Sequence, residues 1–157
     1  MDKSCKTVVV PVNGRELSKG IKFRVALIAH DAKKVDMLSF TSKNEEFLKK
    51  CELIATKGTG HLINEKTALE VREMMSDPEG GDLQIGGLVV SEEIDLVIFL
   101  RDPLAKQPHD PDITALIKVC DVHNIPLATN LSSAEILLKG VIGKADSHTH
   151  FYEGNLQ

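Results

Sequence analysis

Short apolar runs alternate with longer stretches of mixed polarity along this chain, and the alternation predicts its elements. Phe23-Arg24-Val25-Ala26-Leu27-Ile28-Ala29 reads as a first buried strand, followed by a polar helix that Asp31 can cap and that runs toward Lys50. Leu53-Ile54-Ala55 reads as the second strand, with a short helix from about Thr59. Val71 to Met75 reads as the third. Gly80-Gly81-Asp82 opens a helix whose apolar face is Ile85, Leu88 and Val89, at i, i+3, i+4 spacing. Ile94 to Leu100 is the fourth strand. Asp110-Pro111 then has the form of an N-cap followed by proline at the first helical position, with Ile113, Leu116, Ile117 and Cys120 as the buried stripe. Ile125-Pro126-Leu127-Ala128 is a short fifth strand. Ser132-Ser133-Ala134-Glu135 has capping-box form, and Gly140 is the expected end of the helix it starts. Strands that alternate with helices predict an α/β fold: a single domain with a five-stranded parallel sheet and helices on both faces. Residues 21–140 form that domain, after an extension (1–20, with a β-rich piece from Thr7 to Val12 ending at Asn13-Gly14) and before a C-terminal tail (141–157).

Composition narrows the function classes. The 157 residues suffice for one domain with a full core, and 42% hydrophobic with 27% charged residues is ordinary for a soluble protein. A net charge of −4 gives no footprint for nucleic acid. No apolar run approaches the roughly 20 residues of a membrane helix. The run Val8 to Val12 is too short for a signal peptide's apolar core, so a cytoplasmic location is expected. Cys5, Cys51 and Cys120 form no CxxC pair and read as reduced thiols, the latter two as small core residues.

In a parallel α/β sheet every loop that follows a strand lies at one edge, where ligands bind. Those loops carry His30, Asp31, Lys33 and Lys34; Thr56-Lys57-Gly58-Thr59-Gly60; Ser76-Asp77-Pro78-Glu79-Gly80-Gly81-Asp82; Asp102, His109 and Asp112; and Thr129 with Asn130. The segment Arg101 to Asp112 is the densest in chemistry, with three acids, one histidine and three prolines. Thr56 to Gly60 reads equally as an anion cradle of backbone N–H groups and hydroxyls or as a glycine-rich turn with a Thr N-cap; Lys34 and Ser76 on neighbouring loops favour a phosphate. It lacks P-loop spacing. Asp82 reads as a helix cap or as a carboxylate held for general-base work. His109 is a proton shuttle or carbonyl polariser, or a surface histidine. Asp110 is a cap; Asp112 complements a helix dipole or serves the site; Asp102 starts a turn or serves the site. His148-Thr149-His150 is a weak metal motif, and the expected site holds no metal.

Together these loops resemble the methylglyoxal synthase family over about residues 22 to 138. The marks are Ala29-His30-Asp31 with Lys34, Ala55-Thr56 through Gly60, Gly80-Gly81-Asp82 with Gln84-Ile85-Gly86, Ile94-Asp95 to Phe99, Asp102-Pro103-Leu104, Pro108-His109-Asp110-Pro111-Asp112, and Asn124-Ile125-Pro126 to Asn130. The resemblance implies a homohexamer without a cofactor. It implies a lyase that converts dihydroxyacetone phosphate to methylglyoxal and inorganic phosphate, the latter also a candidate regulator. It assigns Asp82 as the base, places His109 near the substrate carbonyl, and makes Asp102 and Asp112 further active-site acids. His30, Lys34, Thr56, Lys57, Gly58, Thr59, Ser76 and Asp77 match substrate-binding positions.

Two loops depart from the family pattern. Lys57-Gly58-Thr59-Gly60 stands where Gly-Thr-Thr-Gly is usual, and Ser76-Asp77-Pro78 where Ser-Gly-Pro is usual. An ion pair between Lys57 and Asp77 is the expected compensation, since a lone carboxylate would repel a phosphate. The family also tends to supply an arginine to the phosphate from a neighbour's C-terminal segment. No arginine follows Arg101 in this chain, which leaves Lys139 or Lys144 as weaker substitutes. Two other functions fit these departures: a non-catalytic module of the same fold that binds a phosphorylated ligand, and a lyase for another phosphorylated ketone or aldehyde.

Overall fold

The computed structural model describes residues 22–105 and 110–155, with side chains described except at Asp110 and in 144–155. The five strands are β1 (Arg24–Ala29), β2 (Glu52–Ala55), β3 (Val71–Glu73), β4 (Leu96–Leu100) and β5 (Leu127–Ala128). They form one all-parallel sheet in the order β3-β2-β1-β4-β5. The helices are α1 (Lys34–Lys43), α2 (Glu45–Leu48), α3 (Lys57–Lys66), α4 (Gly81–Val90), α5 (Asp110–Val122) and α6 (Leu131–Asn155), with 3-10 turns at Asp31–Lys33 and Asp77–Glu79. The β-rich piece expected at Thr7 to Val12, together with Cys5 and His109, lies outside the described residues, as do the side chains of Lys144, His148 and His150.

Side chains alternate across the sheet, so each strand feeds two cores. Val25, Leu27 and Ala29 pack with Met37 and Phe40 of α1, Ile63 of α3 and Ala134 and Leu138 of α6. Ala26, Ile28, Val97 and Phe99 pack with Ile85 and Val89 of α4 and Ile113, Leu116 and Cys120 of α5. Helices therefore cover both faces, as the continuous apolar strands require. Each fully buried Ile or Phe contributes about 1.5–3 kcal/mol of transfer free energy.

Several element ends differ from the sequence expectation, each for a local reason. Asp31 does not cap a helix: His30 holds the extended cap conformation, and the Asp31 carboxylate turns to Lys34. The first polar helix breaks at Asn44, whose side-chain amide donates to the Phe40 carbonyl at 2.9 Å and competes with the helical pattern. The helix expected from Thr59 begins at Lys57. β3 stops at Glu73, and the Met75 N–H goes instead to Oε1 of Gln84 at 2.7 Å. Ser132 is not the cap of α6. Asn130 Oδ1 accepts the Ser133 N–H at 2.9 Å, and Glu135 pairs with Lys43 at 3.6 Å. Gly140 does not end that helix, which continues to Asn155. A glycine inside a helix costs about 1 kcal/mol, and Val141 and Ile142, which pack against the core, offset it.

Candidate active site

β1 and β4 are neighbours, and the chain leaves β1 toward β2 on one side and β4 toward β5 on the other. That reversal opens a crevice beyond their carboxyl ends. A cavity of about 490 Å³ lies there, lined by His30, Asp31, Lys34, Thr56, Gly58, Ser76, Asp77 and Asp102 with Ala32, Pro78 and Ala105. Seven predicted site residues thus converge from four loops: His30, Lys34, Thr56, Gly58, Ser76, Asp77 and Asp102.

His30 is the best-fixed of them. It is 4% exposed. Its backbone N–H donates to the Leu100 carbonyl at 3.1 Å, and its Nδ1 accepts the Asp102 N–H at 2.8 Å. Phe99 packs edge-on against its ring, centroids 5.2 Å apart. An Nδ1 that accepts carries no proton, so the neutral ring carries its proton on Nε2, as a donor. Asp102 has a second function in the loop: its Oδ1 accepts the Leu104 N–H at 3.1 Å, the turn expected at Asp102-Pro103.

Thr56 occupies the N-cap position of α3 but makes no side-chain cap bond. Its hydroxyl lies 3.5 Å from that of Thr59, which in turn accepts the Ala29 N–H at 3.2 Å. Thr59 is 1% exposed and ties α3 to the end of β1 rather than lining the cavity. Over this helix start lies the Lys34 ammonium: a Cβ added at Gly58 would stand 2.7 Å from its Nζ. The same ammonium pairs with Asp31 at 2.7 Å, and the bond and charge of Lys34 hold the Asp31 carboxyl below the usual carboxylate range. The sequence offers Asp31 as a helix cap and as part of the Ala29-His30-Asp31 motif without a site role; its i, i+3 spacing to Lys34 is the signal that marks it as a cavity residue.

The loop from Ser76 to Asp82 turns on two glycines. Gly80 has φ +98°, open to glycine at little cost. At Gly81 a Cβ would lie 2.0 Å from the Met75 carbonyl oxygen, so only hydrogen fits. The turn delivers Asp82 to the first turn of α4 at 0% exposure, its Oδ1 accepting the Leu83 N–H at 3.0 Å. Asp82 does not line the cavity, although Ser76, Asp77 and Pro78 just before it do. Asp112 lies half-buried on the first turn of α5, also outside the lining. The expected Lys57–Asp77 pair is not formed among the described residues: Lys57 is exposed and takes part in no ion pair.

Comparison with known proteins agrees with this geometry. Residues 36–129 match the MGS-like domain family. The methylglyoxal synthase of Carboxydothermus hydrogenoformans is 58% identical over 118 residues, which is 75% of this chain and 98% of that protein. The chain belongs to the methylglyoxal synthase family. The methylglyoxal synthase of Thermoanaerobacterium thermosaccharolyticum is 52% identical over 121 residues, 77% of this chain and 90% of that protein. The crystal structure of methylglyoxal synthase from Elizabethkingia anophelis NUHP1 superposes with a TM-score of 0.70 at 44% identity, covering 74% of this chain and 77% of that one.

Proposed function

We propose that the crevice between β1 and β4 converts dihydroxyacetone phosphate to methylglyoxal and inorganic phosphate. The observation that carries this is the fixed, buried His30, a neutral Nε2–H donor beside the Lys34 ammonium and the uncapped start of α3. A carbonyl-polarising donor and an anion cradle within one cavity are what this elimination requires. Asp82 removes a proton from the carbon next to the carbonyl. The electron pair forms an ene-diolate whose oxygens take donors, His30 and His109. The pair then returns, the C–O bond to phosphate breaks, and phosphate leaves with the bonding electrons. The enol left behind takes up a proton on carbon and gives up the one on its oxygen, which yields methylglyoxal. Lys34, Thr56, Gly58 and Ser76 hold the phosphate, Thr59 braces the cradle, and Asp102 and Asp112 complete the acidic side. Release of methylglyoxal and phosphate from dihydroxyacetone phosphate by the purified protein tests the reading; binding without turnover would favour the non-catalytic module.

The Asp77 carboxylate within the cavity favours one second reading, a lyase for a different phosphorylated ketone or aldehyde. Relative rates on a panel of such compounds separate the two. The same proposal carries a cytoplasmic homohexamer. Val35, Leu104 and Ile136, exposed by 77%, 95% and 70%, support an assembly that covers them, and light scattering tests it. Residues 21–140 form the catalytic unit, a division supported by the 98% of the Carboxydothermus protein that aligns with 75% of this chain.

A further inference from the structure

Asp82 is fully buried and does not line the cavity, so its access to a bound ligand depends on how the start of α4 sits against the crevice. Two consecutive glycines precede it, and glycine backbone is the least constrained of any residue. The strand-to-helix loop therefore needs a tie outside itself. Gln84 supplies one. It stands on the first turn of α4, where side chains lean back toward the helix N-terminus, and its Oε1 accepts the Met75 N–H at 2.7 Å. The Met75 carbonyl in turn accepts the Lys57 N–H at 3.2 Å, at the first residue of α3. That same carbonyl oxygen is the atom that leaves no room for a side chain at Gly81. Just before it, Met74 donates its N–H to the Ala55 carbonyl at 2.7 Å, at the end of β2. Met75 thus joins the two helix starts: its carbonyl meets the anion cradle of α3, and its N–H meets the helix that carries Asp82. The bond to Gln84 lies at the surface, where water competes for both groups, so its weight is in geometry rather than in stability.

We infer that Gln84 is a positioning residue for the base: its bond to Met75 fixes the start of α4, and so the Asp82 carboxylate, at one distance from the phosphate cradle at the start of α3. The inference rests on the reading of this crevice as a lyase site with Asp82 as the base, and the test separates the two. For the full chain, Gln84→Met and Gln84→Glu, kcat and KM for dihydroxyacetone phosphate are measured per folded molecule, with calorimetric titration of inorganic phosphate in parallel. Methionine matches glutamine in length and helix propensity but brings no strong acceptor. Gln84→Met is expected to lower kcat by about tenfold, since a misplacement of about 1 Å costs up to about 10²-fold. Its KM and phosphate affinity should stay within about twofold, because the groups that hold the phosphate are untouched. With substrate deuterated at the carbon that loses its proton, the isotope effect on kcat should be at or above the wild-type value, because proton abstraction is the step that slows. Gln84→Glu keeps an acceptor oxygen at the same reach and should restore kcat to within about threefold. Wild-type kcat in Gln84→Met overturns the inference, even where its Tm falls. So does a KM or phosphate affinity that worsens as much as kcat, which would place Gln84 in binding. An isotope effect below the wild-type value overturns it too, as does a Gln84→Glu variant as slow as Gln84→Met. A wild-type chain that releases no methylglyoxal overturns the reaction and this role together, whereas a wild type that turns over beside an equally fast Gln84→Met overturns this role alone.

Discussion

The two edges of this sheet contain similar residues and use them in opposite ways. At the amino edge Asp95, 3% exposed, accepts the Arg24 N–H at 2.9 Å and pairs with the Arg24 guanidinium through Nε at 3.1 Å and Nη2 at 3.2 Å. Arg24 Nη2 also donates to the Glu92 carbonyl at 2.7 Å. This is a closed clamp between β1 and the approach to β4: a buried charge matched by a fork of the same chain. At the carboxyl edge the buried groups, His30 and Asp82, meet backbone amides, and the cations stand nearer solvent. A larger and more open cavity, about 770 Å³, lies at the amino edge between Lys22, Lys49, Arg72, Glu52 and Glu70. Size does not make it the site. Its cations and carboxylates are nearly balanced, and the helices end there rather than begin. In a parallel sheet α3 and α4 present their N-termini to the carboxyl edge only, which is where an anion is favoured. The difference teaches that a buried charge matched internally holds the fold, and that exposed cations beside helix starts and fixed donors mark chemistry.

The comparison can be broken at either edge. The largest effect is expected from Asp82→Asn, which should fold and lose on the order of 10²–10⁴-fold in kcat, read by methylglyoxal release; a variant with most of its turnover would remove Asp82 as the base. At the other edge, Arg24→Ala takes the guanidinium away from the buried Asp95 carboxylate and should lower the unfolding free energy by about 3 kcal/mol in urea. Residual folded enzyme should keep its kcat; a drop in kcat larger than the loss of folded protein would undo the division of labour between edges. Lys34→Gln is expected to raise KM by about tenfold, as loss of a phosphate contact. Asp77→Asn should do the reverse, lowering KM by about threefold by relieving repulsion; an increase would make Asp77 a substrate contact.

The smallest effect concerns the thiols. Burial pushes the Cys51 thiol from its ordinary value of 9.0 to about 12, with Asp95 adding to it, and the Cys120 thiol to about 11. Both pKa values are raised on folding, so the contribution to stability is complete below pH 9 and is lost as pH rises from there toward 11–12. Neither should give a fast phase with a thiol reagent in the native protein at pH 7.5; rapid labelling of Cys51, 6% exposed, would contradict its burial.

Strand order along the chain, the helix faces and the loops that carry the chemistry were legible because they follow from local periodicity. A buried parallel strand is a continuous apolar run, and a covering helix shows its 3.6-residue stripe. Glycine at 80 and 81 announced the sharp entry to Asp82 for the same reason: a positive φ and a close approach exclude side chains wherever they occur. Other features depended on what came to lie nearby. The end of α6 passed Gly140 because Val141 and Ile142 found the core. Asn130 rather than Ser132 capped that helix. The sheet order that sets β1 beside β4, and so His30 against Asp102 across 72 positions, is a long-range pairing. So is the clamp of Arg24 on Asp95, 71 positions apart. Local sequence specifies dihedral preferences and periodicity, both of which act over a few residues. Which donor meets which acceptor across a sheet, and so the tautomer of His30 and the matching of buried charge, depends on distances that only the packed chain defines.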